Sequence, residues 1–195
     1  MQDNSSNIPF YGLYGERLAS SDPGFVHIED IAARSKGLDW VIKPHRHNRF
    51  FQILCITEGA TEIQLQQESH PLRGCWVVTI PVGVIHGFRF LPNSKGFVLS
   101  ISDSILAEDK PEGFSGGTSQ LFQAPQLIKL AEEEPQLQHF LQYIELIKSE
   151  FHQSRSDQNQ SLALLSRLAL LTLNRQLQNR SMQATLGQKE SLVIG

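Results

Sequence analysis

Three histidines in two short segments constrain this chain more than anything else in it. The first segment is Lys43-Pro44-His45-Arg46-His47 and the second is Pro81-Val82-Gly83-Val84-Ile85-His86. The spacing reads His45-x-His47-x4-Gln52-x6-Gly59, then Gly74-x6-Pro81-x-Gly83-x2-His86. Two residues apart on a strand, His45 and His47 share a face. Gln52 has the opposite parity. It joins them only if the chain turns at Asn48-Arg49 and re-enters on the next strand. His86 follows a Pro/Gly turn and comes from a third strand. A sheet folded back on itself satisfies all of these conditions at once.

The surrounding sequence supplies such a sheet. Ile8–Tyr14 is apolar but broken by Pro9 and Gly12, which suits an arm or an edge strand. Ser21-Asp22-Pro23-Gly24 is a turn. Strands are expected over Phe25–Ala33, Leu38–Lys43, Gln52–Ile56, Thr61–Gln66, Cys75–Ile80, Ile85–Phe90 and Phe97–Ile101, with the last ending near Ser102. Thr61–Gln66 alternates, with Ile63 and Leu65 inward and Glu62 and Gln64 outward. Short strands with closely spaced turns indicate a sandwich or barrel.

The composition then shifts. Asp109–Ser119 is rich in Gly and reads as a loop. From Pro125 the chain reads as helical, with a short helix over Gln126–Glu134. Pro135 suits the first turn of a second helix running to about Ser154. Leu137, Phe140, Leu141, Ile144, Ile147 and Phe151 form its apolar stripe. Ser156-Asp157 can cap a last helix over about Gln158–Asn179. Its leucines cover more than one face, enough for packing on the sheet and for a homodimer contact through the C-terminal helices. The expected organisation is an N-terminal arm over 1–15, a β-barrel over 16–120, a helical dimerisation region over 121–180 and the start of a linker over 181–195. The fold class is mostly β, a jelly-roll barrel followed by an antiparallel helical pair.

A net charge of -3 lacks the basic excess that gripping a nucleic acid backbone requires. No apolar run approaches the about 20 residues that span a bilayer, so no membrane partner is expected. The polar N-terminus lacks the pattern of a secretory signal. Cys55 and Cys75 both lie in apolar runs and read as free buried thiols. Together these features suit the reducing cytoplasm.

Imidazoles that converge can hold a metal ion. His45, His47 and His86 with an open fourth position make an adequate site for zinc, the first choice, or for iron or nickel. Gln52 would be a neutral, weaker ligand. The same histidines can instead hydrogen-bond a ligand directly. Trp40, Trp76 and Phe88 are candidate walls for a flat ligand, Phe88 by sharing strand parity with His86. Arg34, Arg49 and Arg89 are candidate partners for a carboxylate, Arg89 being disfavoured by parity. Arg46 points away from the histidine face. His27, His70, His139 and His152 have no partner spacing and read as surface or structural residues.

The double His motif resembles that of cupin barrels. Ile8-Pro9-x-Tyr11-x-Leu13-Tyr14-Gly15-Glu16, His27–Ser35, Pro44–His47 and Val84–Phe90 resemble the N-terminal sensor domain of AraC/XylS-family transcriptional regulators. They are most similar to the aromatic-acid branch that responds to 4-hydroxybenzoate or hydroxyphenylacetate. The resemblance covers essentially the whole chain. It implies a ligand-sensing and dimerisation module of an activator of aromatic catabolism, with a small aromatic acid as effector and no catalysis. It also implies an arm, through Phe10 and Tyr11, that folds over the ligand. DNA contact would belong to a C-terminal helix-turn-helix domain outside these residues. A usual metal-binding cupin has a carboxylate where Gln52 stands, which weakens the competing expectation of a metal-dependent dioxygenase or isomerase.

Overall fold

A computed structural model describes residues 25–107, 120–130 and 135–193, with the side chains of Arg34, Ala107 and 181–193 outside that description. The expectations for the arm, for Phe10 and Tyr11, and for the Asp109–Ser119 loop fall on residues outside it.

Among the described residues, nine strands form two antiparallel sheets. The first sheet contains β1 (Val26–Asp30), β3 (Phe50–Glu58), β6 (Trp76–Ile80), β8 (Lys95–Ser102) and β9 (Gln126–Lys129), in the order β1-β8-β3-β6-β9. The second contains β2 (Val41–His45), β4 (Ala60–Leu65), β5 (Glu68–Arg73) and β7 (His86–Phe90), in the order β2-β7-β4-β5. Five helices complete the described chain: α1 (Ile31–Ser35), α2 (Asp103–Ala107), α3 (Gln120–Gln123), α4 (Pro135–Phe151) and α5 (Gln158–Val193). Mostly antiparallel sheet with a helical C-terminal segment is compatible with a cupin-like β fold.

Alternation along the strands builds two cores. Leu54, Val78 and Val98 of the five-stranded sheet meet Ile63, Leu72, Phe88 and Phe90 of the four-stranded sheet. This apolar layer lies between the sheets. Residues of opposite parity, Phe51, Ile53, Cys55, Val77 and Leu99, face outward from the five-stranded sheet. There they pack under α4, through Leu137, Phe140, Ile144 and Ile147, and under α5, through Leu162, Ala169, Leu170 and Leu173. Each fully buried side chain of this size contributes roughly 1.5–3 kcal/mol by leaving water. Ile63 and Leu65 are buried and Glu62 and Gln64 exposed, as alternation requires.

Several boundaries differ from the sequence reading. The strand expected over Phe25–Ala33 stops at Asp30, and Ile31–Ser35 is helical, with Ser35 Oγ donating to Ile31 O at 2.5 Å. Leu38 is exposed and belongs to a 3-10 turn over Lys36–Leu38, so β2 begins only at Val41. The helix expected over Gln126–Glu134 is not formed at Gln126–Lys129. Those four residues are β9, which pairs with β6 from Trp76↔Lys129 to Thr79↔Gln126. Ladder bonds to an otherwise open sheet edge outweigh the weak helical preference of so short a segment. Pro135 opens α4 as expected. α5 runs well past Asn179 to Val193, through the stretch read as the start of a linker, a length of about 54 Å at 1.5 Å per residue. Cys55 and Cys75 are free thiols, the first buried and the second half-buried.

Candidate ligand and metal site

Three local devices bring the histidines together. The first is a register shift in β2. Ile42 pairs with Phe88 but His45 pairs with His86, so three steps on β2 answer two on β7. The extra residue turns both Ile42 and His45 toward the interior despite their opposite parity. Pro44 sits at this irregularity on an edge strand, where its missing N–H costs no ladder bond. The second device is Gly87. A Cβ there would lie 3.1 Å from Ile42 O and from Pro44 N, so glycine lets β7 close against the bulge. The third is a backbone bond. Gly83 N donates to His47 O at 2.8 Å, which ties the turn before His86 to the loop carrying His47. His47 lies beyond the end of β2, so this tie, and not simple strand alternation, sets its position.

The result is a compact imidazole cluster. Ring centroids are 4.9 Å apart for His45 and His47, 4.4 Å for His45 and His86, and 5.4 Å for His47 and His86. All three residues are buried, and one ligating nitrogen from each lies within 4.8 Å of the others. A tetrahedral zinc with bonds of 2.0–2.1 Å would draw such nitrogens to about 3.3 Å apart, so the cluster would tighten on binding an ion.

Backbone carbonyls fix two of the tautomers. His45 Nδ1 donates to Lys43 O at 2.8 Å and His86 Nδ1 donates to Val84 O at 2.9 Å. Each Nε2 is then left as the lone-pair nitrogen, the arrangement metal-binding histidines use. His86 Nε2 is buried with no hydrogen-bond partner among the described residues. Burial, followed by the nearby His45 and His47 rings, pushes the His86 pKa well below 6.5, although its bond to Val84 opposes the shift. His86 is therefore neutral near neutral pH. Three buried histidines, two of them with the lone pair fixed at Nε2, fit a divalent ion.

Gln52 enters from the facing sheet. It pairs with Ser100 on one side and Ile80 on the other, and Ser100 pairs with His27. Directly opposed residues of antiparallel strands point the same way. His27, Ser100, Gln52 and Ile80 therefore form a row on the inner face, since Ile80 belongs to the interior core. Gln52 Nε2 donates to Ser100 Oγ at 3.0 Å. Its Oε1 is buried with no hydrogen-bond partner among the described residues. Such a group costs roughly 1–3 kcal/mol if left unmet, so an unmet acceptor here points to something that supplies a positive partner.

The other sequence candidates divide. Phe88 lies 5.5 Å from the His86 ring, and Trp40 and Trp76 are half-buried against the interior core. Arg49 is exposed, and exposed Arg89 pairs outward with Glu62 at 3.8 Å. Arg89 therefore stands away from the histidines. Arg46 is half-buried, and Arg34 lies on α1 with its side chain outside the description. His139 and His152 are exposed. His27 is buried, stacked on Phe25 and edge-on to Phe151, with Glu29 at 3.9 Å. Ser100 and Phe50, whose ring is 6.0 Å from that of His47, carry no motif and escaped the sequence reading. The alternation of Phe50, Gln52 and Leu54 was the available signal for Phe50. Ser100 becomes visible only through strand pairing.

Residues 30–172 match a family model described as the AraC-like ligand binding domain. The chain belongs to that family. A ligand-binding domain of this kind implies a small-molecule effector and points to a regulator. A search of curated proteins gave no match. Among solved structures, KdgF from Halomonas sp. is similar at 23% identity, over 48% of this chain and 94% of that one, with a TM-score of 0.31. A Streptococcus pyogenes protein of unknown function, SPY1581, matches at 18% identity over 31% of this chain and 53% of that one, with a TM-score of 0.28. Bacillus subtilis oxalate decarboxylase matches at 13% identity over 58% of this chain and 25% of that one, also with a TM-score of 0.28. Likenesses this loose carry no argument about activity. Among the described residues, no helix is long and apolar enough to cross a membrane.

Proposed function

We propose that this chain is the effector-sensing and dimerisation domain of a cytoplasmic transcriptional activator, built as a cupin-type jelly roll with an antiparallel helical pair. Its effector is a small aromatic carboxylic acid held between the sheets. The observation that carries this reading is the buried His45–His47–His86 cluster, set beside the interior-core residue Phe88 in a domain of a ligand-binding family. These three histidines are the residues that would hold a divalent ion, zinc first, with Gln52 Oε1 as a neutral fourth donor. A bound ion supplies Lewis acidity and positive charge. Phe88, Trp40 and Trp76 flank the effector ring, and Arg34 is a further candidate for its carboxylate. Leu164 and Leu168 on α5 and Leu146 on α4 are exposed leucines suited to a second copy of the chain. DNA contact belongs to a helix-turn-helix domain outside these residues.

The test combines elemental analysis of the purified chain with calorimetry over hydroxylated benzoates, phenylacetates and cinnamates. Zinc at one per chain and heat from an unconsumed acid are expected. His86→Ala lowers zinc affinity at least about a hundredfold, the upper end of what even a lost outer-shell partner costs, while His139→Ala leaves it unchanged. No heat from any acid would remove the ligand class. The three-histidine cluster also favours a second reading, a metal-dependent dioxygenase or isomerase. Turnover of a catechol or keto acid by the iron-loaded chain would establish that reading in place of the sensor.

A further inference from the structure

We infer that Arg167 on α5 is a positioning residue for His47, acting through α2, so that occupancy of the histidine cluster and the seating of α5 are coupled. The inference rests on the reading of that cluster as the effector site and names a route from the site to the helices. The main chain around His47 is held from both sheets. On one side Gly83 N donates to His47 O at 2.8 Å. On the other, Asp103 N donates to Arg49 O at 2.9 Å, one rung beyond the Phe50↔Ser102 pair. Asp103 is the first residue of α2. The ring of Phe50, next along the chain, lies 6.0 Å from that of His47. A shift of α2 therefore pulls on the loop that carries His47.

α5 holds α2 in place. Ile105 is buried under the helical layer, and its carbonyl falls in the last turn of a short helix, where intrahelical partners run out. Arg167 Nε and one terminal nitrogen of its guanidinium both donate to Ile105 O, at 3.2 and 3.0 Å. A guanidinium stays charged at all accessible pH, and its bonds are strong and directional. The contacts of α5 through Leu162, Ala169, Leu170 and Leu173 are apolar and do not fix its position along its own axis. A second arginine, Arg180, donates to Lys129 O on β9. Lys129 stands opposite Trp76, and Trp76 opposite Ile56, about 20 Å along β3 from Phe50. α5 is thus pinned towards both ends of the sheet, and Arg167 is the pin at the histidine end.

The test reads the imidazole Hε1 resonances by NMR, zinc affinity by calorimetry and amide exchange in α5. Arg167→Met is expected to shift the His47 resonance, to leave those of the exposed His139 and His152 in place, and to weaken zinc about fivefold, at the low end of allosteric couplings. Arg167→Lys, which keeps a charged donor, restores part of both. Arg180→Met, at the far pin, changes neither. Linkage is reciprocal, so zinc slows exchange around Arg167 in the parent and no longer does so in Arg167→Met. Asp103→Pro deletes the N–H at the other end of α2, at a first helical position that accepts proline. It moves the same His47 resonance, and adding Arg167→Met moves it no further. It also carries the test if Arg167→Met fails to fold. An unmoved His47 resonance in Arg167→Met or in Asp103→Pro, an equal shift from Arg180→Met, or additive shifts in the double variant overturn the inference. If the parent binds no zinc, the metal reading fails and the His47 resonance still decides the coupling.

Discussion

Replacing Gln52 by Glu tests the electrostatics of the site in the folded chain itself. Gln52 is 7% exposed, faces the interior, and has one bond to a serine hydroxyl. A carboxylate placed there loses most of its hydration, and burial raises its pKa in the folded state above the about 4.3 of an unfolded glutamate. With one hydroxyl to soften the loss, a rise of about 2–3 units is reasonable, below the extreme for fully buried groups. At about 1.4 kcal/mol per unit, the penalty is roughly 3–4 kcal/mol at neutral pH. The sign follows from proton counting. Between the unfolded and folded pKa values the folded state binds the extra proton, so stability falls as pH rises through that window. Urea unfolding of the metal-free chain at pH 4, 6 and 8 should show the variant close to the parent at pH 4 and weakest at pH 8. Zinc should restore much of the loss, because the carboxylate then has a cation. A pH-independent stability difference that zinc does not relieve would refute the reading of Gln52 as a buried inner-face residue within reach of a bound cation.

Two further outcomes can be measured by the same unfolding experiment. Gly96 has φ +149°, and an added Cβ would fall 2.0 Å from Cys55 O and 2.8 Å from Ile31 Cδ1, so Gly96→Ala should cost about 3 kcal/mol or more; a loss under about 1 kcal/mol would contradict that contact. His86 titrates in the folded state well below the 6.5 of an unfolded imidazole. Over that interval the unfolded chain binds one more proton, so the metal-free chain should weaken as pH falls below about 6.5, by up to about 1.4 kcal/mol per pH unit, and His86→Leu should flatten that slope.

Much of the sheet was legible because its signals are local. Gly59, Gly74 and Gly83 mark turns, and Ile63 and Leu65 declare their face by alternation. What was missed depends on contacts between segments distant in sequence. Nothing local in Gln126–Lys129 distinguishes a strand from a helical turn, and β6, some fifty residues earlier, decides it. The histidine motif told which residues would meet. It did not tell how, because the register shift between Ile42 and His45 and the Gly83 N to His47 O bond, set by contacts with β7 and its preceding turn, fix where the two histidines sit. His27 lacks a motif partner within its own segment, yet the row through Ser100 to Gln52 carries it onto the inner face.

The irregular edge at β2 has a further effect. β2 closes one side of the four-stranded sheet, and a regular edge strand invites another chain to add itself. Here Pro44 has no N–H to offer an incoming strand, Lys43 is exposed and charged, and the register shift spoils any continuous ladder. The device that turns His45 inward therefore also keeps the chain from recruiting copies of itself edge to edge. Straightening it would disturb solubility together with the histidine cluster.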